Sequence, residues 1–270
     1  MERPSWAPAG IDLSVPSVAR IYNYYLGGSH NFEVDREAAR RALEAVPGLP
    51  KIMQANRSFM RRAVRFAADE GITQFLDVGS GIPDFGNVHE VARAATGQAR
   101  VVYVDNDPVA VAHSRAVLDG CGYAAVAAAD LREPRQILDS PQVRGLLDLE
   151  RPVALLLVAV LHFLTEADDP HRAVAELRDA LAPGSLLIMT HASTEGSPLS
   201  SEQGSRVEGV YRGASSPLVM RSREQVERFF DGFEQVEPGV VSLPLWRPDS
   251  PPEQEDPVAF TGFAGVGRKP

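Results

Sequence analysis

Three carboxylates stand where apolar runs of this chain end, and they are the side chains best placed for chemistry. Asp77, Asp105 and Asp130 each close a run whose composition is typical of a buried parallel strand. Because the carboxyl ends of parallel strands meet at one edge of a sheet, the three side chains are expected to line one crevice. The pattern predicts a nucleoside-binding crevice that attracts a positively charged ligand and repels a polyphosphate.

A glycine-rich turn follows Asp77 and narrows the choice of ligand. Gly79 and Gly81 let the backbone approach a ligand closely and adopt unusual φ angles. A dinucleotide fingerprint needs a third glycine three positions later, where this chain has Asp84. A carboxylate at that position opposes a pyrophosphate, which binds to free helix N-terminal amides. S-adenosylmethionine (SAM) has a positive sulfonium and no phosphate, so it fits the acidic crevice better than NAD does.

The acidic residues differ in the roles expected of them. Asp105 is placed to accept hydrogen bonds from both hydroxyls of a ribose, and Asp130 is placed to accept one from an adenine amino group. Asp77 has two open interpretations, a ligand contact or a structural carboxylate that holds the glycine turn. Asp107, directly before Pro108, is interpreted as a helix N-cap.

The composition is that of an ordinary globular protein, with 44% apolar and 23% charged residues. A net charge of −9 argues against a general nucleic-acid binder. With Cys121 as the single cysteine, no internal disulfide forms, and the first ten residues lack the apolar core of a secretion signal. No apolar run approaches the ~20 residues of a membrane span. We therefore expect a cytoplasmic protein without a nucleic-acid or membrane partner, and no metal site, because no residue cluster has metal-ligand spacing.

The elements that position these residues alternate between strand and helix from residue 72 onward. Five such repeats predict an α/β fold with a doubly wound, mostly parallel sheet. Two late strands, near 233–243 and 257–266, flank a proline-rich loop and complete a seven-stranded sheet. The predicted parts of this single domain (1–270) are an N-terminal helical cap (14–70), a SAM-binding core (72–191) and a region of C-terminal helices and antiparallel edge strands (192–270).

Several segments, taken together, make the chain similar to a known family. They include Pro16 to Tyr22, Leu26-Gly27-Gly28, Gln74 to Pro83, Val101 to Pro108 and Leu161-His162-Phe163. These segments resemble a bacterial S-adenosyl methyltransferase family within the class I SAM-dependent methyltransferases, whose fold is Rossmann-like. The resemblance covers nearly the whole chain and implies the fold and the cofactor, but not the methyl acceptor. The chain departs from the family pattern at Ser29-His30, where a lysine–acid pair is usual, and from the class I loop at Pro83.

The residues expected to bind the cofactor combine the strand ends with positions that the resemblance implies. They are Tyr22, Gly27, Gly28, Asp77, Gly79, Ser80, Gly81, Pro83, Asp105, Asn106, Asp130, Leu131 and Ala159. The double glycine also suggests a hypothesis about residues 16–32, that they form a lid over the cofactor with Gly27-Gly28 as its joint. The rival interpretation is a glycine pair that merely turns the chain between two packed helices.

A general base is needed only if the methyl acceptor must lose a proton. His162 is the best candidate among six histidines, because it follows the fourth strand closely at the crevice. An equally open interpretation is that His162 is simply packed inside the protein or exposed to solvent. His30 and His191 are weaker candidates of the same kind.

Three classes of function are compatible with the sequence. The first is a methyltransferase that uses SAM and acts on an unidentified small-molecule acceptor. The second is a protein that binds SAM as a regulator or sensor without turnover. The third is an NAD-dependent oxidoreductase, which the missing third glycine and the acidic crevice disfavour. The sequence leaves the oligomeric state open.

Overall fold

The computed structural model describes residues 7–8, 11–84 and 86–270. Most of the first ten residues, where the sequence predicts no secretion signal, lie outside that part of the chain. Within it, eight β-strands form one sheet. They are β1 (Gln74–Val78), β2 (Arg100–Asp105), β3 (Ala124–Ala128), β4 (Ala154–Val158), β5 (Leu186–His191), β6 (Glu234–Gln235), β7 (Val241–Ser242) and β8 (Phe263–Arg268).

The strand order confirms a doubly wound, mostly parallel sheet. It runs β3-β2-β1-β4-β5-β8-β6, and β7 pairs with β8 beside this path. Strands β1 to β5 pair in parallel, whereas β8 runs antiparallel to β5. The order reverses between β1 and β4, so the crevice at the carboxyl ends of these two strands is the place where α/β sheets bind ligands.

The antiparallel edge differs from the sequence prediction in its strand count. The predicted strand over 233–243 is two strands of two residues each, β6 and β7, so the sheet has eight strands rather than seven. Pro238 has no N–H to donate, and Gly239 turns the chain with φ +80° while its N–H donates to Val236 O. The second predicted strand, 257–266, begins only at Phe263, because Pro257–Phe260 form a 3-10 turn.

Ten α-helices occur in the described residues. They are α1 (Val18–Tyr25), α2 (Glu33–Ala45), α3 (Leu49–Asp69), α4 (Val88–Thr96), α5 (Pro108–Val117), α6 (Pro134–Leu138), α7 (Pro141–Leu146), α8 (Pro170–Asp179), α9 (Ser201–Tyr211) and α10 (Arg223–Glu227). Asp107 caps α5 by accepting from the N–H groups of Val109 and Ala110. Residues 134–146 form two short helices rather than one, since Ser140 caps a new start at Pro141.

The first helix is fastened to its neighbours by a buried polar cluster. Ser17 donates its N–H to Asp35 Oδ1 at 2.9 Å and its hydroxyl to Asp107 Oδ2 at 2.5 Å. The Arg20 guanidinium lies 3.2 Å from Asp35. All four side chains are buried, so the cluster ties α1 to both α2 and α5. This attachment places one face of α1 over the carboxyl ends of the strands.

Candidate active site

A cavity of about 1150 Å³, including the solvent at its mouth, opens at the carboxyl ends of β1, β2, β3 and β4. We call it the strand-end cavity. Helix α1 contributes one wall through Val18, Ala19 and Tyr22. Ten of the thirteen predicted cofactor residues line it, namely Tyr22, Asp77, Gly79, Ser80, Gly81, Asp105, Asn106, Asp130, Leu131 and Ala159.

The glycine turn after β1 brings backbone, rather than side chains, to the cavity wall. Gly79 has φ +75°, and a Cβ atom at this position would collide with the side chain of Val160. The N–H groups of Gly79 and Ser80 both donate to Val104 O, which fixes the turn against β2. The Ser80 hydroxyl oxygen is buried and has no hydrogen-bond partner among the described residues. A bound molecule with a polar group would supply one.

Asp77 lies at the end of β1 and is 9% exposed. Burial raises the pKa of its carboxyl to about 7, the nearby Arg57 guanidinium opposes the rise, and Asp105 adds to it. The side chain is therefore poised to lose its proton near neutral pH. A positive ligand group beside it would favour the charged carboxylate.

Asp105 lies at the end of β2 and fastens the glycine turn. Its Oδ2 accepts from Gly81 N–H at 2.7 Å, and its Oδ1 accepts from Asp107 N–H at 2.8 Å. Burial raises the pKa of Asp105 to about 6, although the two backbone hydrogen bonds oppose that rise. Each carboxylate oxygen keeps a second lone pair that can accept from a ligand hydroxyl.

Asp130 follows β3 and is held by two polar neighbours. Its Oδ2 accepts from Asn106 Nδ2 at 2.8 Å, and its Oδ1 accepts from the backbone and side chain of Arg132 at 2.9 Å. Partial burial acts to raise the pKa of Asp130, but these hydrogen bonds outweigh it and lower the pKa. Asp130 is therefore fully ionised at neutral pH, whereas Asp105 is mostly ionised and Asp77 is about half ionised.

The charge of the strand-end cavity favours a cationic ligand. Five carboxylates line it, those of Asp77, Asp84, Asp105, Asp107 and Asp130, against two guanidinium groups, those of Arg57 and Arg132. An excess of acid in a partly buried crevice attracts positive charge and opposes a polyphosphate.

Three of the predicted cofactor residues do not line this cavity. Gly27 and Gly28 form a helix-ending turn in which Gly28 N–H donates to Asn23 O and Gly27 N–H donates to Tyr24 O. A Cβ atom on Gly28 would collide with the Asn23 side chain, so the turn itself requires this glycine, and a cofactor contact of the pair stays a prediction. Pro83 lines a smaller neighbouring pocket, although Ile82 and Asp84 on either side of it line the strand-end cavity.

A second cavity of about 790 Å³ adjoins the first. We call it the apolar cavity, because most of its walls are aliphatic or aromatic side chains. They come from α1, α3, α9 and segments between the helices and strands, and include Val46, Leu49, Ile52, Phe163, Val207, Leu218 and Leu243. The two cavities share five lining residues, Val18, Tyr22, Asn56, Ala159 and Phe163.

A chain of hydrogen bonds crosses the junction between the two cavities. Ala159 N–H donates to Thr190 Oγ1 at 2.8 Å, and the Thr190 hydroxyl donates to Asn56 Oδ1 at 2.7 Å. Asn56 Nδ2 in turn donates to the Tyr22 hydroxyl at 2.8 Å. Ala159 adopts φ +57°, a strained value for a residue with a side chain, and this strain is typical of functional sites.

Similarity to known proteins shows the family of this chain. A family model described as S-adenosyl methyltransferase matches residues 4–270. The chain belongs to the S-adenosyl methyltransferase family. It therefore uses SAM and catalyses SAM-dependent methylation.

Two solved structures are similar to this S-adenosyl methyltransferase over nearly its whole length. A Thermobifida fusca YX protein classed as a methyltransferase is 44% identical, with a TM-score of 0.91, and the match covers 98% of this chain and 99% of that one. A DUF574 family protein from Streptomyces avermitilis MA-4680 is 38% identical, with a TM-score of 0.90, and the match covers 96% and 99%.

More distant matches to this methyltransferase show only the fold. The 1,6-didemethyltoxoflavin-N1-methyltransferase of Burkholderia thailandensis, solved with its substrate and S-adenosylhomocysteine, is 15% identical, with a TM-score of 0.51 and 79% of each chain covered. No curated protein matches the methyltransferase significantly.

Asn56 is the junction residue of this methyltransferase that the sequence reasoning left out of the site. It is 5% exposed and lies on α3 four residues after Ile52 and three before Phe59, both of which are buried. An amide on the apolar face of an amphipathic helix is the signal that identifies such a residue. Thr190, near the end of β5, is also a polar residue at a buried position. It is harder to recognise as a site residue from the sequence, because threonine is common in strands.

His162 lies on the apolar cavity of the methyltransferase and not on the strand-end cavity. Its Nδ1 accepts from Ala192 N–H at 3.2 Å, so the neutral ring carries its proton on Nε2. Burial, together with His191 and Arg221, lowers the pKa of His162 well below its usual value. As placed, the Nε2–H group is suited to donate a hydrogen bond, and a role of His162 as a general base stays a prediction.

His191 is held in a structural role by Arg221, whose side chain is 2% exposed. The Arg221 guanidinium donates to His191 Nε2 at 3.1 Å, and His191 Nδ1 donates to Ala192 O at 2.9 Å. Burial lowers the pKa of His191 to about 3, so this ring is neutral. Arg221 also donates to the carbonyls of Leu161 and Leu164 and thereby anchors the segment that carries His162.

No group of three or more histidine, cysteine or acidic side chains among the described residues has a geometry that could hold a metal ion. None of the described helices is long and apolar enough to cross a bilayer.

Proposed function

We propose that this methyltransferase binds SAM in the strand-end cavity and methylates an unidentified small molecule in the apolar cavity. The observation that carries the proposal is the junction, where Tyr22, Asn56, Ala159 and Phe163 line both cavities. A cofactor and an acceptor that occupy the two cavities meet there, away from bulk water. Holding two reactants close and dry is the main contribution that a protein makes to a group transfer.

The lining residues fit the parts of SAM in a definite order. Asp130, Leu131 and Arg132 would surround the adenine, and Asp105 would accept from the ribose hydroxyls. Ser80, with its unpartnered buried hydroxyl, and the carboxylate of Asp77 would hold the amino end of the methionine moiety. Arg57, the cation beside Asp77 on the cavity wall, would bind its carboxylate.

When bound, SAM supplies a methyl group that is already activated for transfer to a nucleophile. The protein's own part is to position the acceptor atom at the junction. The Tyr22 hydroxyl is held by Asn56 and stands at that point. Burial raises the pKa of Tyr22 above its usual value, so this group stays protonated and orients the acceptor through a hydrogen bond. His162 Nε2–H would supply a second such donor from the apolar cavity.

Calorimetry with SAM and with NAD tests the cofactor part of the proposal. We expect micromolar binding of SAM or of its demethylated product S-adenosylhomocysteine, and no binding of NAD, because the cavity is acidic. Binding of NAD without binding of SAM would contradict the assignment of the strand-end cavity.

A screen with labelled SAM tests turnover against the alternative of a SAM sensor. Purified protein, labelled SAM and a small-molecule metabolite extract are expected to yield a labelled product. Release of S-adenosylhomocysteine provides a second readout. A protein that binds SAM tightly but labels nothing in fractionated extracts would favour the sensor. The two large adjoining cavities support the enzyme, because a sensor needs only the first.

The proposal also covers the domain organisation and the compartment of the protein. The chain would act as a single domain of residues 1–270, since α1, α3 and α9 contribute to the walls of cavities that the sheet alone does not close. It would work in the cytoplasm, a reducing compartment that suits a chain with one cysteine.

A further inference from the structure

We propose that the apolar cavity selects an uncharged and mainly apolar methyl acceptor, an inference that rests on the proposed function. No aspartate, glutamate, lysine or arginine appears among the described residues that line it. The cavity offers about 790 Å³ of empty space, including the open solvent at its mouth. The acceptor class therefore follows from the chemistry of the walls.

The two histidines on the cavity wall do not change this conclusion. His191 has both ring nitrogens engaged, one accepting from Arg221 and the other donating to Ala192 O. His162 has its Nδ1 engaged with Ala192 N–H. Both rings are buried next to the Arg221 guanidinium, which opposes a positive charge on either of them. The walls thus hold no charge that could pair with a charged acceptor.

A charged acceptor would lose its hydration in this cavity without gaining a partner. Moving an unpaired ion into an apolar site is far more unfavourable than moving a neutral molecule of the same shape. Acceptors that carry a carboxylate, a phosphate or an ammonium group inside the cavity are therefore disfavoured. The same argument disfavours a nucleic acid as the acceptor, because its phosphates need basic residues.

One side chain indicates that the neutral acceptor also carries a polar group. Thr261 is 6% exposed, and it lines the apolar cavity but not the strand-end cavity. Its hydroxyl oxygen is buried and has no hydrogen-bond partner among the described residues. Such an atom is normally satisfied, so a ligand group is its expected partner. The acceptor would therefore offer one polar group to Thr261 in addition to its nucleophilic atom at the junction.

Three probes of one shape test the charge selectivity. They are naphthalene-2-methanol, which is neutral, naphthalene-2-carboxylate, which is an anion, and naphthalen-2-ylmethylammonium, which is a cation. Their affinities are measured by calorimetry at neutral pH on protein saturated with S-adenosylhomocysteine. We expect the neutral alcohol to bind, and each charged probe to bind about tenfold more weakly or worse.

A matched pair of substitutions shows where the neutral probe binds. Leu218 is half-buried on the apolar cavity, and Leu245 is 40% exposed and lines neither cavity. Leu218→Trp fills part of the cavity and is expected to weaken binding of the alcohol by about tenfold. Leu245→Trp is expected to leave it unchanged, and both variants should keep the wild-type affinity for S-adenosylhomocysteine.

The outcomes separate this inference from the proposed function. Absence of binding of the alcohol, equal binding of the charged probes, or an unchanged affinity in Leu218→Trp would overturn the acceptor class. Failure of the wild-type protein to bind S-adenosylhomocysteine would instead contradict the proposed cofactor cavity. In that case the probe series without S-adenosylhomocysteine still decides the charge selectivity of the apolar cavity.

Discussion

At the scale of single residues, the site keeps two buried carboxyls on adjacent strands. Asp77 is 9% exposed and Asp105 is 7% exposed. Burial raises the pKa of Asp77 to about 7 and that of Asp105 to about 6. A carboxyl group whose pKa is raised in the folded protein destabilises the ligand-free fold when it is ionised. A positively charged ligand reverses that effect, so these residues indicate function rather than stability.

The first prediction concerns Asp77→Asn. The folded-state pKa of about 7 lies above the unfolded value of 3.8, so the folded protein binds more protons between these values. The free energy of unfolding therefore falls as pH rises through this range, by on the order of a few kcal/mol. Asp77→Asn has no carboxyl to ionise at this position, so its stability does not fall in this way. Without ligand, its melting temperature should exceed that of the wild type at pH 8 but not at pH 4.

Thermal denaturation of the ligand-free proteins at both pH values measures this effect. Asp119→Asn, at an exposed carboxyl just after α5, is the control and should follow the wild type. The Asp77 variant should also bind SAM more weakly, because it lacks the charge that pairs with the ligand. If the melting temperature of Asp77→Asn differed from that of the wild type by the same amount at both pH values, the prediction would be contradicted.

The second prediction concerns Asp105→Ala. A carboxylate that accepts from two ribose hydroxyls makes charge-assisted hydrogen bonds, so its removal should weaken SAM binding by about tenfold or more. The loss of the bond to Gly81 N–H adds to this effect by loosening the glycine turn. Calorimetry measures the affinity, and the melting temperature without ligand checks that the variant folds. Wild-type affinity in a folded variant would show that the ribose lies elsewhere.

At the scale of elements, helix α1 is the part of the cap that bears on both cavities. Its buried cluster joins Ser17 to Asp35 and Asp107, and its C-terminal turn is closed by the hydrogen bonds of Gly27 and Gly28. Asn23 adds bonds to His30 N–H and to the Asn31 side chain. These contacts fit the interpretation of Gly27-Gly28 as a packed turn better than that of a flexible joint. The lid stays a prediction, which protection of residues 27–31 from proteolysis by SAM would support.

The third prediction concerns Gly28→Ala. The new methyl group would collide with the Asn23 side chain, which must then leave its bonds to His30 and Asn31. We expect a loss of about 1–3 kcal/mol in the free energy of unfolding, measured in urea. Gly145→Ala is the matched control, because Gly145 lies in α7 and its Cβ position is open. That control should be neutral or slightly stabilising. A Gly28→Ala protein as stable as Gly145→Ala would mean that Asn23 is not needed for the turn.

At the scale of the whole molecule, both ends of the chain converge on the site. Val18 in α1 and Gly262 before β8 line the same apolar cavity, while the strand-end cavity lies where the strand order reverses. The sheet thus supplies the strand-end cavity, and helices from the N- and C-terminal regions wall the apolar cavity beside it. The acidic strand-end cavity therefore lies beside the apolar cavity, whose described lining contains no acidic side chain, lysine or arginine.

The fourth prediction follows from this acidic cavity in the ligand-free protein. Asp77 and Asp105 lose their protons as pH rises from about 6 to about 8, since their pKa values are about 7 and about 6. SAM carries a sulfonium charge that S-adenosylhomocysteine lacks, so SAM gains more from the new negative charge. The ratio of SAM affinity to S-adenosylhomocysteine affinity should therefore rise over this range in calorimetry. The Asp77→Asn protein should show a smaller rise, and a ratio that does not change with pH in the wild type would count against the charge argument.

The sequence determined those features that depend on local pattern. Acid-ended apolar runs, caps such as Asp107 and the β-then-α alternation predict the parallel sheet, the strand-end cavity and the use of SAM, and each of these features is present. These features can be predicted from local sequence, because buried parallel strands are apolar and their carboxyl ends lie at the same edge of the sheet. The edge strands near 233–243 were less predictable, because Pro238 and Gly239 leave only two-residue pairings.

The tertiary structure decided which residues meet across long sequence distances. Tyr22, Asn56 and Thr190 join in one hydrogen-bonded chain only because α1, α3 and β5 pack against one another. The apolar cavity, the neutral state of His162 and the role of Gly28 in a turn also depend on such packing. Periodicity and spacing describe neighbours along the chain, whereas a cavity and a buried pKa depend on what other elements place around a side chain.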